Sequence, residues 1–155
     1  RFAMSEGSPL SPDRVLYVAE PPAARYLRAP VVIDCSVWVA LVFNEPAAQK
    51  AAALLRDKGM HAPTILAYEF ANVVVSKRRS GVDAVDIERA LREFAQQRID
   101  LHPVPAEAMA SVASRFQLSA YDAAYLWLAG SLKAPLITFD AKLNDAAADY
   151  LPHLE

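Results

Sequence analysis

"VVIDCSVWVALVF", residues 31–43, sets three β-branched residues ahead of an acid, Asp34, and a second apolar run behind it. A continuous apolar run bounded in this way reads as a strand buried on both faces of a parallel sheet. The second run reads as a helix, with Ser36 placed to cap it. Leaving a carboxylate unpaired in such a place costs on the order of several kcal/mol. Asp34 must therefore be hydrogen-bonded, ion-paired or bound to a metal.

Outward from this stretch, strand and helix patterns alternate. Asn44, Glu45 and Pro46 lead into "AAQKAAALLRDK", with Gly59 in a C-cap position, and "MHAP" is a short strand. Thr64 is placed to cap "ILAYEFANVVVSKRRS", which stops at Gly81, and Asp83 opens "AVDIERALREFAQQR". "IDLHPVP" is extended, "AEAMASVASRFQ" is helical, and "SAYD" forms a capping box ahead of "AAYLWLAGSLKA". "PLITFD" repeats the grammar of the first strand, apolar residues ending in an acid, and "AKLNDAAADYL" makes a last helix. Strands separated by helices of this length predict an α/β fold, a three-layer sandwich with a central, mostly parallel sheet flanked by helices.

Composition narrows the classes of function. The chain has 155 residues, 54% hydrophobic and 22% charged, which fits one globular domain with a core of its own. Its one cysteine, Cys35, excludes an internal disulfide and multi-cysteine zinc sites, and it reads as a small buried apolar residue in a chain suited to the cytoplasm. The longest apolar run, "VWVALVF", is far short of the roughly 18 residues a membrane span needs, so no membrane association is expected. A formal net charge of -2 offers no overall electrostatic footprint for nucleic acid, and any such contact must be local. Residues 1–30 differ from the rest: they hold five of the 11 prolines and read as an N-terminal appendage or a tag-derived remnant. Within them "VLYVA" is a short strand candidate, "AARYLRA" a helical turn, and the segment a candidate intersubunit contact. The domain proper is expected over residues 31–155.

The acids sort by position. Asp34 and Asp140 each end a strand, and in open parallel sheets the functional crevice lies at the carboxyl ends of strands. Glu69 has Ile65 and Val73 four residues to either side, which places it on an apolar stripe. Asp122 falls in the first turn of its helix, where orphan N–H groups favour a carboxylate. Singly, Asp122 and Asp140 have capping as an alternative reading, and Glu69 that of a core acid paired with a lysine or arginine. Jointly the four make an acidic pocket. Like charges so close raise one another's pKa unless a cation intervenes, and an all-oxygen donor set without histidine or cysteine calls for a hard divalent ion, Mg2+ or Mn2+. That combination fits phosphodiester hydrolysis.

"VVIDCSVWVAL" with its D-x-S, "ILAYEFANVV", "LSAYDAAYLWLA" and "LITFDAKLNDAAA" resemble, in order and spacing, the four signatures of PIN-domain ribonucleases, most closely the VapC-like toxins of bacterial VapBC toxin-antitoxin pairs. The resemblance covers about residues 31–151. It implies a metal-dependent endoribonuclease with Asp34, Glu69, Asp122 and Asp140 as both catalytic and metal-holding groups. It also implies that the hydroxyls of Ser36 and Thr138 support the site, and that Asn72 orients Glu69 or meets metal-bound water. RNA and a cognate antitoxin are the partners implied, the antitoxin entering the acidic pocket with an arginine. The residues themselves, in "ALVF", "LLRDKG" and "AYEFANVVV", offer more apolar helix face than one small sheet covers, which points to a homodimer or a bound antitoxin.

The chain departs from that pattern in its 30-residue lead. Asp145 is a candidate further acid, although five residues past Asp140 it can point away. RNA affinity falls to Lys77, Arg78 and Arg79, with Arg98 and Lys142 as weaker options, against a solvated helix end complementing the dipole. Two other classes compete. An aspartyl-phosphate transfer domain would want a second acid beside Asp34 and a lysine near the last strand, whereas positions 35 and 36 are Cys and Ser and "LITFD" itself ends without a lysine. A non-catalytic RNA- or protein-binding module of the same fold would be marked by loss of one acid, and all four are present.

Overall fold

Val31, Val32 and Ile33 are at most 1% exposed, the burial expected of a central strand of a parallel sheet. A computed structural model of the chain describes residues 28–154. The "VLYVA" strand and the intersubunit contact expected of the leading segment lie outside the described residues, as does nearly all of the "AARYLRA" turn. The first strand, β1, spans Pro30–Ile33 and so starts one residue before the expected domain boundary. Proline is tolerated there as the opening residue of a strand.

Four strands, β1, β2 (Gly59–Pro63), β3 (Ile99–His102) and β4 (Leu136–Ile137), form one sheet in the order β3-β2-β1-β4. Every pairing is parallel, with Pro30 opposite Gly59, Ile33 opposite Ile137, and His61 opposite Asp100. From β1 the chain builds outward to β2 and β3, then returns past β1 to place β4 on its other side. Right-handed crossovers put connecting helices on one face for the outward steps and on the opposite face for the return. The order of strands therefore reverses between β1 and β4, which opens a crevice at their carboxyl ends.

The outward connections are α1 (Cys35–Val42), α2 (Ala48–Leu55), α3 (Ile65–Arg79) and α4 (Ala84–Gln96), and the return carries α5 (Ala106–Phe116) and α6 (Ala120–Leu132). Helix α7 (Ala141–Tyr150) and a 3-10 turn, Leu151–His153, come after β4. Helix α1 is buried on nearly all sides and carries three valines, so packing rather than propensity holds it helical. Its Trp38 meets Phe70 of α3 and Phe94 of α4 edge-on, at 6.4 and 5.9 Å between ring centres, and the two phenylalanines stack at 4.9 Å. Helix α6 is likewise apolar round its circumference, packing on β1 and β2 and on α5 and α7.

Several local expectations change. Asp34 itself caps α1, accepting from the Val37 N–H, while Ser36 sits inside the helix. Thr64 occupies the cap position of α3 without a side-chain capping bond, because its backbone is already helical. Gly59 is the first residue of β2, not a helix cap; the chain leaves α2 through Arg56 and a left-handed Asp57. Asp83 and Ser119 cap α4 and α6 as expected. The last strand is only two residues long, so Thr138, Phe139 and Asp140 form a loop between β4 and α7.

Gly130 of α6 marks the closest approach of α7: a Cβ there would lie 2.8 Å from Tyr150 Cε1 and 3.2 Å from Leu154 Cδ1. Gly130→Ala should therefore lower stability by about 1–3 kcal/mol, overcoming the roughly 1 kcal/mol gained in helix propensity. Urea unfolding of Gly130→Ala, Tyr150→Ala and the double variant should show the double losing less than the sum of the singles, because removing the ring removes the clash.

Candidate active site

Ile33 and Ile137 are paired in register, so the next residues, Asp34 and Thr138, emerge side by side at the carboxyl end of the sheet. Asp34 is the one buried charged residue among those described, at 7% exposure. Its two oxygens are fully engaged: Oδ1 accepts from the Ser36 hydroxyl at 2.6 Å and the Val37 N–H at 3.1 Å, and Oδ2 accepts from the Thr138 hydroxyl at 2.5 Å. These neutral donors offset the cost of burial without cancelling the charge. Ser36 Oγ also accepts from the Phe139 N–H, and Thr138 Oγ1 from the Asp140 N–H, so the two hydroxyls tie the β4–α7 loop to β1.

Glu69 lies in the second turn of α3, half-buried, at the border of a buried stripe formed by Leu66, Phe70 and Val74. The expectation that Glu69 lies on the buried stripe itself is off by one position. Its Oε1 accepts from the Tyr125 hydroxyl at 2.7 Å. Burial pushes its pKa up, as do the charges of Asp122 and Asp34, while the Tyr125 bond works against them. Asp122, half-buried on α6, is also raised, first by burial and then by Asp140 and Asp34, with the Ser119 bond and Lys142 opposing. Asp140 is exposed and caps α7 by accepting from the Leu143 N–H at 2.9 Å. The four acids thus act on one another across the crevice between β1 and β4. None of them makes an ion pair with lysine or arginine among the described residues.

As placed, no three histidine, cysteine, aspartate or glutamate side chains among the described residues are grouped to hold a metal ion. Each carboxylate is instead directed by its own local bond. The donor chemistry nevertheless fits a hard cation: all oxygen, mutually repelling, and without an ion pair to lysine or arginine among the described residues. Mg2+ needs only one or two carboxylates beside water and phosphate oxygens, so a closed four-acid cage is not required.

Other sequence candidates divide. Asn72 is exposed one turn beyond Glu69, and the hydrogen bond to Glu69 comes from Tyr125 instead. The signal for Tyr125 was present in "YDAAYLWLA": a phenol on a wholly apolar helix requires a partner for its hydroxyl. Lys77 pairs with Glu45 at 3.1 Å and lies over the Phe43 ring at 4.6 Å, which leaves Arg78 and Arg79 as the exposed cations of α3. Arg98 precedes β3 and so sits at the opposite edge of the sheet from the acids. Lys142 stands close enough to lower the Asp122 pKa, whereas Asp145 is exposed on α7 and is not among the charges acting on Asp122 or Glu69. The Cys35 thiol is pushed up to about 12 by burial and by Glu69 and Asp34, which makes it a poor nucleophile.

Comparison with known proteins agrees with this architecture. The PIN domain family model matches residues 31–149. A VapC ribonuclease of Mycobacterium bovis and ribonuclease VapC9 of Mycobacterium tuberculosis are each 30% identical over 123 residues, spanning 79% of this chain and 94% of theirs. The crystal structure of PAE2754 from Pyrobaculum aerophilum shares the fold, with a TM-score of 0.62 at 22% identity over 81% of this chain and 89% of that one. The chain belongs to the PIN domain family, and within it resembles the VapC proteins.

The raised pKa values bear on stability. A carboxyl whose pKa is higher folded than unfolded binds its proton more tightly in the native state, so stability falls as pH rises through that range. At pH 7 in chelator, Glu69→Gln and Asp122→Asn should each melt no lower than the parent, since the amides keep the Tyr125 and α6 environments while removing the repulsion. Scanning calorimetry at pH 7 and again at pH 4.5 should show the advantage of both variants shrinking at the lower pH. A clear loss of stability in both at pH 7 would mean the charges serve as caps and core pairs.

Proposed function

We propose that this PIN-domain chain is a metal-dependent endoribonuclease, the toxin of a toxin-antitoxin pair, with residues 31–155 as its nuclease domain. The observation that carries the proposal is the buried Asp34 carboxylate, held by two hydroxyls at the switch between β1 and β4, with Glu69 and Asp122 pushed up in pKa by burial and by the neighbouring acids of the same crevice. An acidic crevice repels a phosphodiester, so the reading requires a cation between them. The names of the VapC ribonucleases support RNA as the substrate.

Asp34, Glu69, Asp122 and Asp140 would hold Mg2+ or Mn2+, which would lower the pKa of a water and offset charge on the phosphate. The chain's own groups perform the positioning. Ser36 and Thr138 fix both oxygens of Asp34 and keep it from turning toward other donors. Tyr125 holds one oxygen of Glu69 and favours its ionised form against burial. Ser119 accepts from the Asp122 N–H at the start of α6 and favours the ionised form of that acid against burial. Asn72, exposed beside Glu69, is placed to meet substrate rather than to orient the acid. Arg78 and Arg79 are the exposed cations available to RNA, with Lys77 braced by Glu45.

On this reading the protein works in the cytoplasm with a cognate antitoxin. Among the described residues no helix is long and apolar enough to cross a membrane. Exposed apolar side chains such as Leu54 and Val75, 50% and 41% exposed, support a homodimer or antitoxin contact. Purified protein should cleave RNA with Mg2+ or Mn2+ and not in chelator, and Asp34→Asn should lose activity by about 100-fold or more. Gel analysis of a labelled RNA checks this; metal-independent cutting, or equal cutting by the variant, would overturn the mechanism.

A further inference from the structure

Helix α7 opens at the crevice with Asp140 as its cap, and its first turn carries a cation, Lys142, and no acid. A helix N-terminus is the positive end of the dipole, where orphan N–H groups favour carboxylates and disfavour lysine. Helix α6, opening on the same side, follows that rule with Asp122 in its first turn. Propensity does not explain the lysine, since alanine would serve the helix at least as well. A partner does not explain it either. Lys142 is exposed and its ammonium makes no ion pair among the described residues, although Asp145 lies three residues along the same helix, a spacing at which such pairs form.

The charge of Lys142 is felt across the crevice. At Asp122 of α6 it opposes the charges of Asp140 and Asp34. The exposed arginines of α3 are poorly placed for the same point, because Arg79 lies ten residues beyond Glu69, about 15 Å along the helix. A cation is needed there on charge alone. Four ionised carboxylates with one divalent ion between them leave the site net negative, and a phosphodiester brings a further negative charge.

We propose that Lys142 is a further catalytic residue of this crevice, its ammonium meeting the phosphate under attack, a role that rests on the nuclease reading and deepens it. As water adds to phosphorus and the bond to the leaving ribose oxygen breaks, negative charge gathers on the phosphoryl oxygens, and the ammonium stabilises it. Lys142 exchanges no proton: the one the water loses and the one the leaving oxygen gains pass to and from solvent. A donor fixed where charge develops binds the transition state more strongly than the ground state, so it acts on kcat rather than on KM. A lysine that only thins the repulsion among the acids would leave kcat where it is.

The test uses the full chain, a labelled RNA and saturating Mg2+. Lys142→Ala should lower kcat about 100-fold, the size of effect seen when one donor to a transition-state oxyanion is removed, with KM changed less than about 3-fold. Lys142→Arg should restore kcat to within about 10-fold of the parent and Lys142→Gln should not, because the charge is what acts. Arg98→Ala, the same loss of charge at the opposite edge of the sheet, should leave kcat unchanged. Two binding measurements separate this role from support of the metal. In calorimetry without RNA, Lys142→Ala should bind Mn2+ at least as tightly as the parent, since a like charge has gone. In the Asp34→Asn background it should change RNA affinity less than about 3-fold, because the contact strengthens only in the transition state. Unchanged kcat in Lys142→Ala, a rise in KM alone, or a loss recovered by raising Mg2+ would overturn the role and leave the nuclease reading intact. No cleavage by the parent with any divalent metal would overturn both.

Discussion

A carboxylate kept almost wholly from water at the end of a central strand constrains everything near it. Asp34 cannot shed its charge into bulk solvent, and no lysine or arginine neutralises it, so its stability comes from three donors drawn from two separate segments. Two of those donors lie in α1 and the third in the loop after β4. For Thr138 to reach Asp34, β4 must sit directly beside β1, and for that the chain must reverse its direction across the sheet. The short fourth strand is then understandable. Two residues suffice to set the register, and the chain must leave the sheet at once to turn Thr138 and Asp140 into the crevice.

The remaining acids are held less tightly and in graded fashion. Glu69 leans on one phenol and is opposed by burial, Asp122 sits in a helix first turn, and Asp140 is open to solvent. On the proposed reading this gradient would separate roles, the fixed, buried acid marking where a cation sits and the more exposed acids following substrate and water. It also accounts for the lack of a ready three-acid group, since local bonds direct each side chain and mutual repulsion opposes their closer approach.

Much of this was legible in the residues. The run from Val31 to Val42 announced a buried strand and helix because apolar burial on both sides leaves no alternative pattern, and the four acids were recognisable by position. What escaped reading was side-chain partnership across distant segments. Ser36 looked like a cap and proved to be a donor to the cap, because Asp34 at the strand end was already placed to take the Val37 N–H. Gly59 looked like a helix terminus and opened a strand instead, since Asp57 adopted the left-handed turn without glycine. Tyr125 was hidden among core residues, and Glu69 fell one position off the stripe inferred from its i±4 neighbours. Neither can be seen without the hydrogen bond that joins Tyr125 of α6 to Glu69 of α3. The leading segment, residues 1–27, lies outside the described structure.

For Asp122 and Asp140, capping a helix and facing the crevice are compatible once the polarity of the fold is considered. In a parallel sheet every helix that succeeds a strand begins at the carboxyl edge, so helix N-termini and strand ends crowd the same side. Asp34 and Asp140 cap α1 and α7, and Asp122 occupies the first turn of α6. Capping therefore brings the carboxylates to the crevice, rather than being an alternative to their gathering there. The N–H groups and the positive helix ends favour carboxylates at these three positions. One set of residues thus terminates strands, starts helices and concentrates charge, and substituting any of them with its amide tests the charge while leaving much of the architecture in place.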